Sequence, residues 1–264
     1  MLDGRHGIPS EVVLDISSAF ARYLPLSPRD RASIERLAFA TEQLPARRKI
    51  VQEGRSCRDL FLVHAGWLAG FRQLPDGGRQ VFNFWLPGDV AGVEFFATRN
   101  ATFSVATLTP ARISRLSLDQ LQELSGSAPA LTSLLALLAC RNGTLLRERM
   151  VGLGRRDAYC RVGHLLLELA HRQHPDGGPA IACAAFPLTQ LEVADATGLT
   201  APYVNRILRS MRESGFLALT PLGLELRDPQ ALAARVRFHN GYLRFPAELA
   251  GAGRPPLLSP ATTA

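Results

Sequence analysis

The sequence predicts an α+β chain in which a β domain comes first, a long helix follows, and a helical unit with a β-hairpin comes last. Short β-type runs alternate with turn residues from about 42 to 118, which is the first of three observations behind this order. The second is a heptad pattern of leucines that begins at Leu131, and the third is a pair of amphipathic helices separated by Gly198. A length of 264 residues agrees with about two domains, at roughly 150 residues each.

The composition is that of a globular protein with a basic balance. Hydrophobic residues make up 47% and charged residues 20% of the chain, and the formal net charge is +7. Nearly all of the positive charge is arginine, since Lys49 is the single lysine. Arginine forms bidentate hydrogen bonds with phosphates and with guanine edges, so this balance favours a polyanionic partner such as nucleic acid.

Neither a secretion signal nor a membrane span is apparent in the sequence. Asp3, Arg5 and Glu11 interrupt any basic-then-apolar pattern at the N-terminus. The longest strongly apolar stretch, 131–140, is far shorter than the roughly 20 residues that a span requires. We therefore expect a cytoplasmic protein that does not contact the membrane. The cysteines are widely spaced without a CxxC pair, which favours reduced thiols over a metal or cluster site: Cys57, Cys140, Cys160 and Cys183.

The first half of the chain is predicted to be mainly β structure after an initial helix. Residues 11–40 have helical spacing, and Ser27-Pro28 is a typical helix start. The turn residues Pro75-Asp76-Gly77-Gly78 are a strong hairpin signal. Strands of this length and spacing indicate a small β-barrel, roll or sandwich, and the predicted runs are Asp59–Ala65, Trp67–Leu74, Arg79–Leu86, Thr102–Leu108 and Arg112–Leu116.

A long helix is predicted to begin near Ala128-Pro129. Its heptad positions suggest a short coiled-coil seam and therefore a homodimer, although a helix buried in a single domain would show similar spacing. The candidate interface residues are Leu131, Leu135, Leu138, Asn142 and Leu145. Gly152 and Gly154 are expected to interrupt the helix and to form a hinge at a domain boundary.

Residues 188–209 carry the pattern of a helix-turn-helix. Thr189 and Glu192 have the spacing of a capping box, and Gly198 suits a tight turn between two helices. Thr200 is expected to cap the second helix, and Pro202 suits its first turn. After Gly215 a hairpin is predicted, which would make the unit a winged helix-turn-helix.

The second helix of this pair is the predicted recognition helix. Val204, Ile207 and Leu208 form its apolar inner face. Recognition helices lie in the major groove of DNA, and Arg206 is the best candidate for a guanine contact, whereas Thr189 and Thr200 suit phosphates. The candidate DNA-binding residues are Thr189, Gln190, Thr200, Ala201, Tyr203, Asn205, Arg206 and Arg209.

These features together resemble the Crp/Fnr family of transcription regulators, over roughly residues 25–240. Residues 188–195 (LTQLEVAD) and 204–208 (VNRIL) are similar to the family's DNA-binding motif. Residues 86–92 (LPGDVAG) resemble its roll motif around the effector cassette, and 152–159 (GLGRRDAY) resemble a hinge segment of one subgroup.

The resemblance implies a specific fold and function. The fold would be α+β, with a cyclic-nucleotide-binding-like β-roll (a jelly roll), a long dimerisation helix and a C-terminal winged helix-turn-helix. The implied segments are an N-terminal segment 1–26, a sensor roll 27–126, a dimerisation helix 127–153, a DNA-binding domain 154–240 and a flexible tail 241–264. The implied function is a transcription regulator that binds a palindromic operator in double-stranded DNA as a homodimer, with allosteric input from the roll and RNA polymerase as a partner.

The predicted effector site departs from the family's pattern. Val93 stands after Gly92 where cyclic-nucleotide-binding members carry Glu, and Ala101, followed by Thr102, stands near the position of their Arg. With Gly88 these are the candidate effector-binding residues. A cyclic phosphate would lack its guanidinium partner unless Arg99 or Arg112 replaced it, so no cofactor is assigned.

Two other functions remain open from the residues alone. A roll of this kind could belong to a ligand-binding signalling module that does not act through DNA. An enzyme or metal site could use His171 and His174 with Cys160 or Cys183. The sequence contains no Gly-rich phosphate loop, GxSxG or HExxH motif, so we predict no catalytic residues, no metal and no enzymatic activity.

Overall fold

The computed structural model describes residues 20–21, 23, 25–35, 41–98, 100–125, 129–174, 181, 184–220 and 223–243. The chain divides into two compact units. The first contains the described residues up to Leu68 together with Trp85–Ala139, and the second contains Ala69–Phe84 and the described part of Cys140–Arg244. Most of the predicted N-terminal segment and of the predicted tail lies outside the described residues, as does residue 99.

The first unit is mainly β structure. A four-stranded sheet has the order β1-β8-β3-β6, and β2 pairs separately with β7. A 3-10 turn, Val93–Ala97, follows β6. The elements are helix α1 (Pro28–Glu35), strands β1 (Thr41–Leu44), β2 (Lys49–Val51), β3 (Asp59–Ala65), β6 (Val90–Ala91), β7 (Ser104–Thr107) and β8 (Ala111–Ser117), and helix α2 (Leu118–Ser125).

Antiparallel pairing of β3 with β8 organises the core of this unit. Leu60 lies opposite Leu116 and Val63 opposite Ile113, and all four side chains are buried. Gly66 ends β3 with a φ of 79°, and a Cβ there would lie 2.2 Å from the carbonyl oxygen of Pro110, so only glycine fits. The long predicted strands are confirmed, but the short strands β1, β2 and β6 were not predicted because two to four residues carry too little periodicity.

Strands β4 (Leu68–Gln73) and β5 (Arg79–Trp85) form the predicted hairpin. The Leu74 N–H donates to the Gly78 carbonyl (2.8 Å), and the Gly77 N–H donates to the Leu74 carbonyl (3.0 Å). Gly77 has a φ of 84°, which explains the glycine in this turn.

Helix α3 (Pro129–Arg155) spans 27 residues and corrects one prediction. Gly152 and Gly154 do not interrupt it, because a glycine inside a helix costs only about 1 kcal/mol relative to alanine. The break comes instead after Arg155, where Asp157 begins the next helix by accepting a hydrogen bond from the Cys160 N–H (2.7 Å). The helix break therefore lies at Arg156-Asp157 and not at the two glycines.

The rest of the second unit is a helical bundle with a small sheet. Strands β10, β11 and β9 form a three-stranded sheet in that order. No helix among the described residues is both long enough and apolar enough to cross a membrane. The elements are α4 (Ala158–Gln173), β9 (Ala185–Phe186), α5 (Gln190–Thr197), α6 (Ala201–Glu213), β10 (Leu217–Thr220), β11 (Gly223–Leu226) and α7 (Pro229–Val236), with a final 3-10 turn at Gly241–Leu243.

Candidate nucleic-acid interface

Helix α5 begins with the predicted capping box. The Glu192 N–H donates to the Thr189 hydroxyl (3.2 Å), and the Thr189 N–H donates to the Glu192 carboxylate (2.7 Å). Glu192 is buried, so this carboxylate is held by the cap and is not available to solvent. The reciprocal bonds satisfy two backbone donors that a helix start leaves open, and they fix the direction in which α5 enters the unit.

The turn between α5 and α6 depends on Gly198. Its φ is 66°, in the left-handed region, and its N–H donates to the Ala194 carbonyl. A Cβ at this position would lie 3.2 Å from the Leu153 side chain, so a larger residue would be both strained and crowded. Ala194 is buried and small, which lets the two helices approach closely.

Thr200 is the N-cap residue of α6, as predicted, but its hydroxyl makes no capping hydrogen bond. The helix is started instead by backbone bonds from the Tyr203 and Val204 N–H groups to the Thr200 carbonyl, with Pro202 in the first turn. The exposed Thr200 hydroxyl is therefore not committed to the helix start.

Helix α6 has two sharply different faces. Val204, Ile207 and Leu208 are buried as predicted, and Met211, which the sequence reasoning missed, completes the inner face. Seven of the eight candidate DNA-binding residues are exposed, and Ala201 is half-buried. The structure thus brings these candidates to the surface of α5, of the turn and of the outer face of α6.

Two arginines on the outer face of α6 have different surroundings. The Arg206 guanidinium lies over the Tyr203 ring, with its carbon 5.0 Å from the ring centroid. Arg209 donates from Nε to the Glu213 carboxylate (2.9 Å), one turn further along the helix. The Arg209–Glu213 ion pair is largely exposed, so it contributes little to stability and can break when Arg209 finds another partner.

The wing is the hairpin of β10 and β11. Thr220 lies opposite Gly223, and β9 adds a third strand through the pairing of Phe186 with Leu224. Gly223 has a φ of 117°, and a Cβ there would lie 2.6 Å from the Phe186 carbonyl oxygen. The predicted wing is confirmed, although the turn residues 221–222 lie outside the described residues.

Two contacts that hold α5 were not predicted from the sequence. Arg161 donates to the Thr197 carbonyl (3.0 Å) at the end of α5 and to the Arg156 carbonyl (3.1 Å). Arg79 of the β4–β5 hairpin forms an ion pair with Asp195 of α5 (2.7 Å). The two contacts with α5 join residues 36 and 116 positions apart in the sequence, so no local pattern predicts them.

Two family models match the sequence. A Crp-like helix-turn-helix domain matches residues 160–235, and a cyclic nucleotide-binding domain matches residues 41–127. The nitrogen fixation regulation protein FixK of Bradyrhizobium diazoefficiens is 31% identical over 66% of this chain and 73% of its own length. The CRP-like cAMP-activated global transcriptional regulator of Mycobacterium tuberculosis is 26% identical over 76% of this chain and 92% of its own length.

The chain belongs to the Crp/Fnr family. It is a DNA-binding transcription regulator of that type, as its winged helix-turn-helix and its relatives agree. The crystal structure of FixK2 from Bradyrhizobium japonicum has the same fold, with a TM-score of 0.67 over 75% of this chain and 97% of FixK2 at 24% identity. The predicted α+β fold of roll, helix and winged helix-turn-helix is confirmed.

In this Crp/Fnr regulator the residues of the predicted dimer seam face the chain's own interior. Leu131, Leu138, Asn142 and Leu145 are each at most 4% exposed, and Leu135 is half-buried. These side chains have little surface left to offer a second copy. The exposed face of α3 lies one residue further along, at Thr132, Ala136, Ala139, Leu146, Met150 and Leu153, and the half-buried Gly143 continues the same spacing. The predicted seam followed the leucines. A heptad pattern of leucines occurs both where a helix packs in its own domain and where it packs against a second copy, so the spacing alone does not distinguish the two.

The predicted effector residues Gly88, Gly92 and Val93 flank β6, whereas Ala101 and Thr102 come shortly before β7. Gly88 and Gly92 both have a φ near 90°, and the Asp89 carboxylate accepts hydrogen bonds from the Leu86 N–H (2.9 Å) and from the Tyr23 hydroxyl (2.9 Å). Val93 and Ala101 are buried and supply no charge.

Aromatic rings occupy the interior beside these positions. The Phe103 ring lies 4.7 Å from Phe95 and 6.2 Å from Trp85, between centroids. Thr102 is exposed, and Ala101 is held by backbone bonds to residues 54 and 55. Val93, Ala101 and the three rings therefore contribute apolar packing to this part of the first unit.

Three of the four residues considered for an enzyme or metal site, Cys160, His171 and His174, lie among the described residues. His171 stacks on Phe238, with ring centroids 5.6 Å apart. Burial raises the pKa of the Cys160 thiol, which disfavours the nucleophilic thiolate. Among the described residues, no group of three or more His, Cys, Asp or Glu side chains is arranged to hold a metal. Cys183 lies outside them.

Proposed function

We propose that this Crp/Fnr regulator binds a palindromic operator in double-stranded DNA as a homodimer, with α6 of each copy in the major groove. The observation that carries the proposal is the division of α6 into a buried apolar face and an exposed face with Tyr203, Asn205, Arg206 and Arg209. A recognition helix must be anchored on one side and free on the other, and α6 meets both requirements.

The residues have distinct proposed roles. Arg206 reads a guanine through its two parallel donors, because a guanidinium matches the O6 and N7 acceptors in the major groove. Asn205 and Arg209 contribute the remaining polar contacts of α6. Thr189, Gln190 and Thr200 lie at or beside the N-terminal ends of α5 and α6, where hydroxyl, amide and backbone N–H groups suit phosphates. Ala201 allows the backbone to approach the DNA closely.

The proposed dimer forms along the exposed face of α3. Its positions alternate at spacings of four and three residues, which is the spacing of a coiled-coil seam. The small residues Thr132, Ala136, Ala139 and Gly143 let the backbones approach, and Leu146, Met150 and Leu153 supply apolar area. Two such copies would present their recognition helices to half-sites about one DNA turn apart.

Input from the roll is proposed to act without a cyclic nucleotide. The uncharged Val93 and Ala101, and the aromatic packing beside them, support a roll that takes no cyclic phosphate. A signal would change the population of the DNA-competent arrangement through the helix break at Arg156-Asp157. RNA polymerase is the proposed partner at the promoter, and no catalytic activity is proposed.

Selection of duplexes from a random library, followed by titration of the selected operator, tests this function. Arg206→Ala should weaken operator binding by at least about tenfold, since a bidentate guanine contact discriminates by roughly 1–3 kcal/mol per half-site. Arg31→Ala is the matched control because it removes an exposed arginine of α1, and it should bind within about twofold of the wild type. Selection of no palindrome, or an Arg206→Ala variant with unchanged binding, would contradict the proposal.

A further inference from the structure

Arg206 and Tyr203 are one helical turn apart on the exposed face of α6. The Arg206 guanidinium carbon lies 5.0 Å from the centroid of the Tyr203 ring, which is within the range of a cation–π contact. Tyr203 keeps 41% of its surface exposed, so the ring is not part of the buried core. Within the described residues, no carboxylate lies within ion-pairing distance of Arg206, whereas the Tyr203 ring lies against its guanidinium.

The contact directs Arg206 toward the N-terminal end of α6. The first two residues of the helix, Ala201 and Pro202, have no side-chain hydrogen-bonding group that could hold the guanidinium or replace it. Arg209 is held in the opposite direction, toward Glu213. The N-terminal part of a recognition helix is the part that lies over base edges, so the ring holds Arg206 where a base would be read.

An arginine side chain has many rotamers, and fixing it in one of them on binding is unfavourable. A ring that already selects one rotamer in the free protein reduces this loss and strengthens binding without touching the base itself. We infer that Tyr203 is a positioning residue for Arg206, and that the two side chains together determine specificity for a guanine in each half-site. This inference rests on the proposed function of α6.

The direction in which operator affinity changes when the Tyr203 ring is removed distinguishes a positioning role from a contact that exists only in the free protein. If Arg206 had to leave the ring to reach the base, removal of the ring would strengthen operator binding. If the ring positions Arg206, its removal weakens binding and lowers discrimination at the guanine. A cation–π contact at an exposed site corresponds to about 2.3- to 5.4-fold per half-site, and therefore to about five- to thirtyfold for a palindrome read by two copies.

The experiment compares Tyr203→Leu, Tyr203→Phe, Arg206→Ala and the double variant Tyr203→Leu/Arg206→Ala in full-length protein. Each is titrated with the operator selected by the wild type and with an operator in which the guanine pair is replaced by an adenine–thymine pair. Tyr203→Leu should lose about five- to thirtyfold on the selected operator and much less on the substituted one. Tyr203→Phe keeps the ring and should bind within about twofold of the wild type.

The double variant distinguishes positioning from a direct contact of Tyr203 with DNA. In the Arg206→Ala background, Tyr203→Leu should have no further effect, because the side chain that the ring positions is absent. Thermal unfolding should be unchanged in Tyr203→Leu, which shows that lost binding is not lost folding.

Three results would overturn the inference: unchanged or tighter binding by Tyr203→Leu, loss of binding by Tyr203→Phe, or an undiminished effect of Tyr203→Leu in the double variant. Each is separable from failure of the proposed function. Unchanged binding by Arg206→Ala contradicts the role of Arg206 itself, whereas a normal loss with Arg206→Ala and none with Tyr203→Leu contradicts only the positioning role.

Discussion

Two glycines in the second unit differ in backbone conformation, since Gly198 is left-handed and Gly154 is helical. Gly198 needs the left-handed conformation of the turn between α5 and α6, with a φ of 66°. Gly154 lies inside α3, is exposed, and would place a Cβ in open space. The same substitution is therefore expected to have opposite effects at the two positions.

Gly198→Ala should lower the free energy of unfolding by about 1–2 kcal/mol, because a Cβ is disfavoured at positive φ and would meet Leu153. Gly154→Ala should raise it by roughly 0.5–1 kcal/mol, because alanine is the better helix former. Urea denaturation of both variants measures the two changes. A stabilised Gly198→Ala protein would contradict the left-handed turn.

Among the contacts of single residues, those between neighbours in the sequence were predictable and those between distant residues were not. The Thr189–Glu192 box and the Gly198 turn were predictable because each depends on residues close together in the chain. The bond from Arg161 to the Thr197 carbonyl joins residues 36 positions apart, and nothing near Arg161 in the sequence indicates it.

At the scale of elements, helix α3 carries two stripes that differ by one residue in register. The stripe of Leu131, Leu138 and Leu145 is buried in the chain itself, whereas Leu146, Met150 and Leu153 are between 38% and 71% exposed. A step of one residue turns an α-helix by about 100°, so the two stripes lie on different sides of the helix. An aspartate introduced into each stripe should therefore have a different effect on the protein.

Met150→Asp should convert the dimer to a folded monomer, because it places a carboxylate on the proposed seam without entering the core. Leu138→Asp should instead unfold the first unit, since Leu138 is 2% exposed and packs in its hydrophobic cluster. Sedimentation and circular dichroism together distinguish the two outcomes. A folded monomer from Leu138→Asp and an intact dimer from Met150→Asp would restore the register predicted from the sequence.

On the scale of the whole molecule, the charge balance predicts how binding responds to salt. The net charge is +7 and is supplied almost entirely by arginine. Each phosphate that the protein neutralises lowers the logarithm of the binding constant by about 0.9 per decade of salt.

Operator affinity should therefore fall by at least about 100-fold between 50 and 200 mM salt, which corresponds to about four phosphate contacts in a dimer. Fluorescence anisotropy with a labelled duplex measures the slope. The preference for the operator over a scrambled duplex should change much less, because base contacts release few counterions. Affinity that does not respond to salt would contradict binding through the DNA backbone.

The order of the elements was predictable from the sequence, but the division into units was not. The runs 59–65 and 79–86, the long helix and the winged helix-turn-helix each have their own period or turn signal, and they lie where predicted. The predicted boundary at 153–154 assumed a break at glycine and a second domain formed from continuous sequence. The second unit instead includes residues 69–84, because distant contacts decide which segments pack together.

The β4–β5 hairpin therefore sets a limit on how the DNA-binding half can be cut out for study. Arg172 donates to the Phe84 carbonyl, the Arg149 guanidinium lies 5.7 Å from the Phe84 ring centroid, and Asp195 is paired with Arg79. A fragment that begins at residue 140 would lose all three contacts with the hairpin at once. Part of its surface would then be an interior face newly opened to water, so a shuffled chain that carries 69–84 on a linker is the more faithful minimal protein.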